Sequence, residues 1–474
     1  SIFGPMIWVK ARTGVRCLGW RTICWCGPKL KYLMTRSSLS LALKYDRPVP
    51  RYTSYPTAPH FSDSVGEDVY RAWLAELDPS NPLSLYIHVP FCAAMCWFCG
   101  CNTKIVARYD PVASYVDHVL KEIALLAEAL PTRFPVAHVH WGGGSPTMLT
   151  PDDWARMVEV LKTHFDLSDD VELAVELDPR TATESYVQAL ADAGVSRVSI
   201  GVQDFDERVQ EAINRIQPYD MTARVVGWLQ DAGIWAINMD LMYGLPHQTV
   251  DTVMDQVDLA VSLEPQRVAL FGYAHVPWMK SHQKMIDEAA LPDVEARFAQ
   301  FEAARARLIA LGYVAVGFDH FALPGDPLAG EGVQRNFQGY TSDDAETLIG
   351  LGASSIGSLP QGYVQNQPSL ASYKDAVQAG HLPIVKGRSL SEDDRERRDI
   401  INDLMCTLRA DLAGGRDHYQ RELKCLEPLM DDGLVELQGD RLVVTEEGRP
   451  LVRVAAAAFD TYLANEAGRH SKAV

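Results

Sequence analysis

The sequence predicts an α/β chain: a full or partial (β/α) barrel followed by a smaller, mainly helical domain. Three observations predict it. From residue 83 to about 320, apolar strand-like runs alternate with amphipathic helical stretches, the pattern of a parallel sheet with crossover helices. The cysteines, a glycine run, Glu176, Gln203 and Asp240 fall at or near the C-terminal ends of those runs, where such barrels carry their chemistry. After about residue 380 the alternation stops.

The elements follow in order. Residues 1–45 carry eight Lys and Arg and no acid before Asp46, with Cys17, Cys24 and Cys26 among them. They read either as a basic targeting segment or as a start upstream of the natural one, with Met34 opening the stretch that runs into "KYDRPVPRYTSYPTAP". The second reading is preferred. Residues 1–45 are then expected to stand outside the fold, and Cys24 and Cys26 receive no metal role. Residues 46–82 read as an N-terminal wrap segment. Strands are expected in "LSLYIHVP" (83–90), "AHVHWGGGSP" (137–146), "VELAVELDP" (171–179), "VSRVSIGVQ" (195–203), "INMDLMYGLP" (237–246) and "RVALFGYAHVP" (267–277). Helical spacing of apolar positions marks "VASYVDHVLKEIALLAEAL" and "DTVMDQVDLAVSL". The barrel and its extension are taken as 83–380. Residues 381–474 form the second domain, a charged amphipathic helix and then a hairpin turning at "QGD" before a last helix, which is winged-helix-like.

Bulk properties narrow the function. With 474 residues, 47% hydrophobic and 22% charged, the chain is an ordinary globular protein long enough for two domains. Its formal charge of −18 argues against nucleic acid as a partner, since phosphate binding needs a basic face. No stretch approaches the roughly 18 uninterrupted apolar residues of a membrane span. The cysteines do not form a secreted disulfide framework, and a cytoplasmic setting is expected.

"YIHVPFCAAMCWFCGCN" (86–102) sets Cys92, Cys96, Cys99 and Cys101 in one loop after a strand. Thiolates are the soft ligands of zinc and iron–sulfur clusters. The second half of a structural zinc site is missing, and the spacing is not that of a bacterial ferredoxin. C-x3-C-x2-C suits a [4Fe–4S] cube with three protein ligands, Cys92, Cys96 and Cys99. Its open iron can chelate S-adenosylmethionine and deliver an electron to the sulfonium. One residue separates Cys101 from Cys99, and neighbouring side chains on an extended segment diverge. Cys101 is therefore read as a non-ligand in or near the active site. Arg215 has a fork that matches a carboxylate; taken alone, it and Asp240 would be an ordinary ion pair.

The cysteine stretch resembles the signature of radical S-adenosylmethionine enzymes, and its C-G-C-N ending resembles the oxygen-independent coproporphyrinogen III oxidases among them. "PRYTSYPTA", "HWGGGSPT", "VELDPR", "GVQDF", "NRIQ", "DLMYGLPHQT", "YAHVP", "DHFA" and "RNFQGYT" are similar to that family as well, over roughly residues 45 to 465. The resemblance implies a partial, TIM-like (β/α) barrel. It implies oxidative decarboxylation of two propionates of coproporphyrinogen III to vinyl groups, with a [4Fe–4S] cluster and two molecules of S-adenosylmethionine per cycle. A flavodoxin- or ferredoxin-like donor would supply electrons to a monomeric enzyme. Tyr86, Gly143, Glu176 and Ile356 are implied to bind the cluster-bound S-adenosylmethionine. Phe98, Gly144, Ser145, Gln203, Arg215, Asp240 and Ala274 are implied to line a second pocket, for a second S-adenosylmethionine or for the substrate's propionates. Arg51 and Tyr52 are candidates to close the site over an anionic tetrapyrrole. The rival within the superfamily is a heme chaperone without oxidase activity, whose loop ends C-x2-C-D-F and which lacks a "PRYTSYPTA" segment.

Overall fold

The computed structural model describes residues 36–463, so the expectations for residues 1–35, Cys17, Cys24 and Cys26 included, lie outside the described residues. Six parallel strands form where the apolar runs predict them: β1 Leu83–Val89, β2 Pro135–Gly143, β3 Asp166–Leu177, β4 Arg197–Gln203, β5 Ala236–Tyr243 and β6 Arg267–Gly272. Six further strands extend the sheet: β7 Val314–Val316, β8 His320–Ala322, β9 Thr347–Leu351, β10 Ile356–Leu359, β11 Gly362–Asn366 and β12 Ile384–Ser389. The order across the sheet is β12-β11-β10-β9-β1-β2-β3-β4-β5-β6-β8-β7; β9 runs parallel to β1, and the remaining additions pair antiparallel.

Side-chain alternation decides which face does what. Ile87, Val139, Trp141, Val175, Val198, Ile200, Met239, Leu241, Val268 and Leu270 point outward into one continuous buried core. Helices Asp110–Ala129, Pro151–His164 and Val250–Val261 cover that face with their own apolar stripes. The capping box of Thr150 and Asp153 starts the second of them. The opposite face carries Ser84, His138, Glu172, Arg197, Asn238 and Arg267, one from each of β1–β6, and all six line a single cavity. A sheet whose six adjacent strands share one cavity must curve around it. The barrel is thus partial, its edges being β12 and β7.

Two boundaries differ from the sequence-based expectation. Residues 36–45 were expected outside the fold, yet Arg36–Tyr45 is a helix that buries Ala42 against the C-terminal core and joins Lys44 to Asp432 at 2.6 Å. A basic, acid-poor composition does not stop an amphipathic turn from docking on an acidic surface. The boundary at 380/381 also moves, because Ile384–Ser389 pairs with Gly362–Asn366 and belongs to the barrel sheet. The C-terminal, mainly helical region therefore begins at Ser391, which caps helix Glu392–Thr407 through a capping box with Asp394. A second helix, Gln420–Asp431, and the hairpin Val435–Gln438/Arg441–Val444 follow, the hairpin turning at Gly439–Asp440. The wrap segment joins this core: Tyr52 donates to Asp460 at 3.1 Å, and Tyr55 is buried beside Thr461.

Candidate active site

Beyond β1 the chain makes a short parallel pairing, Phe91–Cys92 with Lys104–Ile105, that closes the cysteine loop at its base. Bonds from distant segments hold the loop. The Trp97 amide donates to the Ile213 carbonyl at 2.9 Å, and Asn214 Nδ2 to the Met95 carbonyl at 2.7 Å. Buried Gln283 donates to the carbonyls of both Phe98 (3.0 Å) and Ala274 (3.2 Å). Cys92, Cys96, Cys99 and Cys101 all line the cavity, whose volume is about 680 Å³.

The sulfurs sit among N–H donors. Arg180 Nη2 lies 3.4 Å and Arg215 Nη1 3.6 Å from Cys96 Sγ, and the Cys101 amide lies 3.4 Å from Cys99 Sγ. A hydrogen bond from the Cys101 side chain lowers the Cys99 thiol to about 6, whereas burial pushes Cys92 up to about 12. The same bond, with burial, raises the Cys101 thiol. Among the described residues, no three His, Cys, Asp or Glu side chains converge as a single metal ion requires. A cube takes each thiolate at a different corner, and three thiols spaced along one loop, with N–H donors at Cys96 and Cys99, suit such a cluster.

Glu176 stands at the end of β3, facing inward. Its carboxylate accepts from the Gly143 amide at 3.0 Å and lies 3.3 Å from His140 Nε2. Burial raises its pKa, but His140, the Gly143 amide and His88 together hold it below the ordinary value. The glycine turn also lets other side chains approach the backbone closely. A Cβ on Gly142 would sit 2.5 Å from Glu176 Oε1, and one on Gly143, at φ +105°, 2.1 Å from the His88 ring. The amides of Gly144 and Ser145 bond to the carbonyls of Val89 (2.9 Å) and Phe91 (2.8 Å), tying the glycine turn to the cysteine loop.

The cavity wall also holds Phe98, Gly144, Ser145, Gln203, Arg215, Asp240 and Ala274. A register shift between Gly201 and Gln203 puts Gln203 at φ +69°, a left-handed conformation uncommon outside glycine and asparagine. Asp240 and Arg215 do not pair. Arg215 instead meets Asp178 at 3.4 Å and the Gly201 carbonyl at 2.6 Å, while Asp240 accepts from Asn238 (2.8 Å) and Ser199 (3.2 Å). Burial, with the Glu176 charge adding to it, raises the Asp240 carboxyl to about 6.

Tyr86 and Ile356 lie apart from this wall. Tyr86 is buried, its hydroxyl 3.0 Å from His88 Nδ1 and its ring stacked 5.9 Å from that of His140. Ile356 is half-buried on β10 against Phe61, Tyr363 and Leu390, and its backbone crowds Gly350, the register partner of Tyr86. Four residues that sequence reasoning did not single out complete the site: His88, His140, Asp178 and Arg180. The signal was present in part, because His140 shares a strand face with Gly142, and Asp178 and Arg180 lie in the turn directly after the strand that carries Glu176.

Comparison with known proteins adds the following. Residues 86–260 match the model of the radical SAM superfamily. The chain is similar to an oxygen-independent coproporphyrinogen III oxidase of Bradyrhizobium diazoefficiens, 48% identical over 93% of this chain and 100% of that protein. It is also similar to one of Paracoccus denitrificans, 43% identical over 91% and 97%. Among solved structures it resembles coproporphyrinogen III oxidase from Escherichia coli, described as a radical SAM enzyme, with a TM-score of 0.83, 35% identity, and coverage of 88% of this chain and 100% of that one.

Proposed function

The chain belongs to the oxygen-independent coproporphyrinogen III oxidases, and on that premise we propose how its residues carry out the family's reaction. It is an S-adenosylmethionine-using oxidoreductase of heme biosynthesis, dependent on a [4Fe–4S] cluster. When bound, the cluster and S-adenosylmethionine supply a one-electron reduction and a carbon radical that takes a hydrogen atom from the substrate. Each of two propionates of coproporphyrinogen III then loses one hydrogen atom, carbon dioxide and one electron, leaving a vinyl group. The heme-chaperone reading is not favoured, since relatives matching nine-tenths of the chain are named oxidases.

Cys92, Cys96 and Cys99 are the cluster ligands in this reading, and Arg180 and Arg215 steady the Cys96 sulfur. Glu176, held ionised by His140 and the Gly143 amide, is an acceptor for the amino group or ribose of S-adenosylmethionine. Tyr86 and Ile356 are assigned to the same S-adenosylmethionine by the family resemblance, Tyr86 through the ring it stacks on His140. Phe98, Gly144, Ser145, Gln203, Arg215, Asp240 and Ala274 form the second pocket. Arg51 faces the same cavity, its Nη2 3.1 Å from the Gly272 carbonyl, with Arg297 and Arg335 near it and Asp319 as a counter-charge. That surplus of guanidinium charge suits a propionate carboxylate. Cys101, facing the cavity outside the ligand set, acts in turnover. The electron donor is flavodoxin- or ferredoxin-like and the enzyme monomeric. Its setting is cytoplasmic, in keeping with the unpaired described cysteines. No described helix is long and apolar enough to cross a membrane.

One observation carries the proposal: the three thiols and Glu176 line a single cavity at the C-terminal ends of β1–β3. The test is an anaerobic assay of reconstituted protein with reductant, S-adenosylmethionine and coproporphyrinogen III, quantifying porphyrins and methionine together. Protoporphyrinogen IX is expected with about two methionines per product, one for each propionate. An intact cluster that cleaves S-adenosylmethionine yet yields no porphyrin product contradicts it.

A further inference from the structure

Electrons must reach the cysteine loop from outside, and one surface beside it differs from the rest of the molecule. The segment 273–286 crosses over the loop: Lys280 Nζ donates to the Cys101 carbonyl at 3.1 Å, and His282 Nε2 lies 2.7 Å from the Cys99 carbonyl. On its outer side Trp278, Met279 and Met285 are 66%, 64% and 60% exposed. These are three of the most exposed large apolar side chains among the described residues, and they stand within eight positions of one another. Large apolar side chains left in water beside a functional loop mark a contact surface, and Trp and Met are enriched in such surfaces.

The charge is equally local. The chain as a whole carries −18, yet residues 273–286 contain Lys280 and Lys284 and no acid before Asp287. The cysteine segment, 91–109, contains Lys104 and Arg108 and no acid before Asp110. Lys104, Arg108 and Lys284 are exposed, as is Ile105 between the first two. Gly100 has nothing near its Cα on the side where a Cβ would stand, so the loop tip is open.

We propose that this surface, with Trp278, Met279 and Met285 exposed beside Lys280 and Lys284, and Lys104 and Arg108 on the cysteine segment it crosses, docks a small acidic one-electron carrier protein. The inference rests on the functional reading above and locates its electron entry. Basic residues beside the cysteine loop of an otherwise acidic protein favour the approach of an acidic carrier at this face. The few exposed apolar side chains suit the small, short-lived interface of electron-transfer partners. In each encounter the carrier is oxidised by one electron and the cluster reduced by one; no atom is transferred.

The test compares two reductants on the reconstituted full chain: photoreduced flavodoxin, which must dock, and dithionite, which need not. The variants are the double change Arg108→Glu with Lys284→Glu, and Trp278→Ala. With flavodoxin, S-adenosylmethionine cleavage by the double variant is expected to fall by about tenfold or more and to lose its dependence on salt. With dithionite, both variants should match the parent. Flavodoxin titrated against immobilised enzyme should bind the double variant correspondingly more weakly. Three results would overturn the proposal: unchanged rates with flavodoxin, equal losses with both reductants, or a parent dimer that the substitutions dissolve, which would assign the patch to a second copy. The functional reading fails separately, when dithionite-reduced parent cleaves S-adenosylmethionine but leaves coproporphyrinogen unconverted.

Discussion

The two faces of the barrel strands differ more than any two elements of the fold. Along β4 and β5, Val198, Ile200, Ile237, Met239 and Leu241 face the helices and are fully buried in apolar surroundings. Their neighbours Arg197, Ser199, Asn238 and Asp240 face the cavity. Packed barrels of this general kind fill the interior with branched apolar side chains and read as continuous hydrophobic runs. Here the outward face alone supplies the core, and the inward face is given over to charge and hydrogen bonding around an open space. Stability and chemistry are thereby assigned to alternate residues of the same strand, and substitutions on the two faces should fail in different ways.

The largest effect is expected at the cysteines. Changing Cys92, Cys96 or Cys99 to Ser should abolish both the cluster absorbance and turnover, while the melting temperature of the cluster-free protein stays near that of the cluster-free parent. A full cluster in any of the three would remove that residue from the ligand set. Next come the outward residues. Ile200→Ala or Leu270→Ala should cost about 2–5 kcal/mol in denaturant unfolding, with a cavity left in a core that cannot collapse. By contrast Asp240→Asn, which keeps the bonds to Asn238 and Ser199 in reach, should change stability by less than about 1 kcal/mol yet reduce turnover. Equal destabilisation by the two kinds of change would erase the distinction between faces.

A smaller effect tests the floor of the cavity. Burial raises the pKa of Glu172, but His138 and Arg197 outweigh it and bring the carboxyl to about 2 from an ordinary 4.5. A depressed carboxylate adds stability that is complete above the unfolded value and is lost as pH falls from there through about 2. Glu172→Gln should therefore cost on the order of 2 kcal/mol near neutral pH and flatten the acid limb of the stability profile below about pH 4.5. An unchanged acid limb would show that the pairing contributes nothing.

How much of this could be read in advance also differs between the faces. All six barrel strands and the helices Asp110–Ala129 and Val250–Val261 were legible, because apolar runs of strand length between amphipathic stretches leave few other folds. The cysteine loop and Glu176 were legible because short motifs at strand ends have little freedom in where they point. Asp178, Arg180, His88 and His140 were not singled out, since their roles depend on what lies across the cavity, such as the Cys96 sulfur and the Gly143 turn. The pairing of Arg215 with Asp178 rather than Asp240 likewise depends on strand curvature. Strand Ile384–Ser389 escaped notice because its neighbour across the sheet, Gly362–Asn366, decides its membership. The helix Arg36–Tyr45 was missed for a similar reason: its partner, the C-terminal core around Ala42, lies almost 400 residues away along the chain, as the Lys44–Asp432 pair shows.

The central claim is that three thiols hold the cluster and the fourth serves turnover. The measurement that tests it most directly is iron and sulfide content, with porphyrin turnover, of reconstituted Cys101→Ser. The account predicts about four irons per chain, as in the parent, with turnover impaired. Loss of iron would make Cys101 a ligand, close the cube and contradict the account.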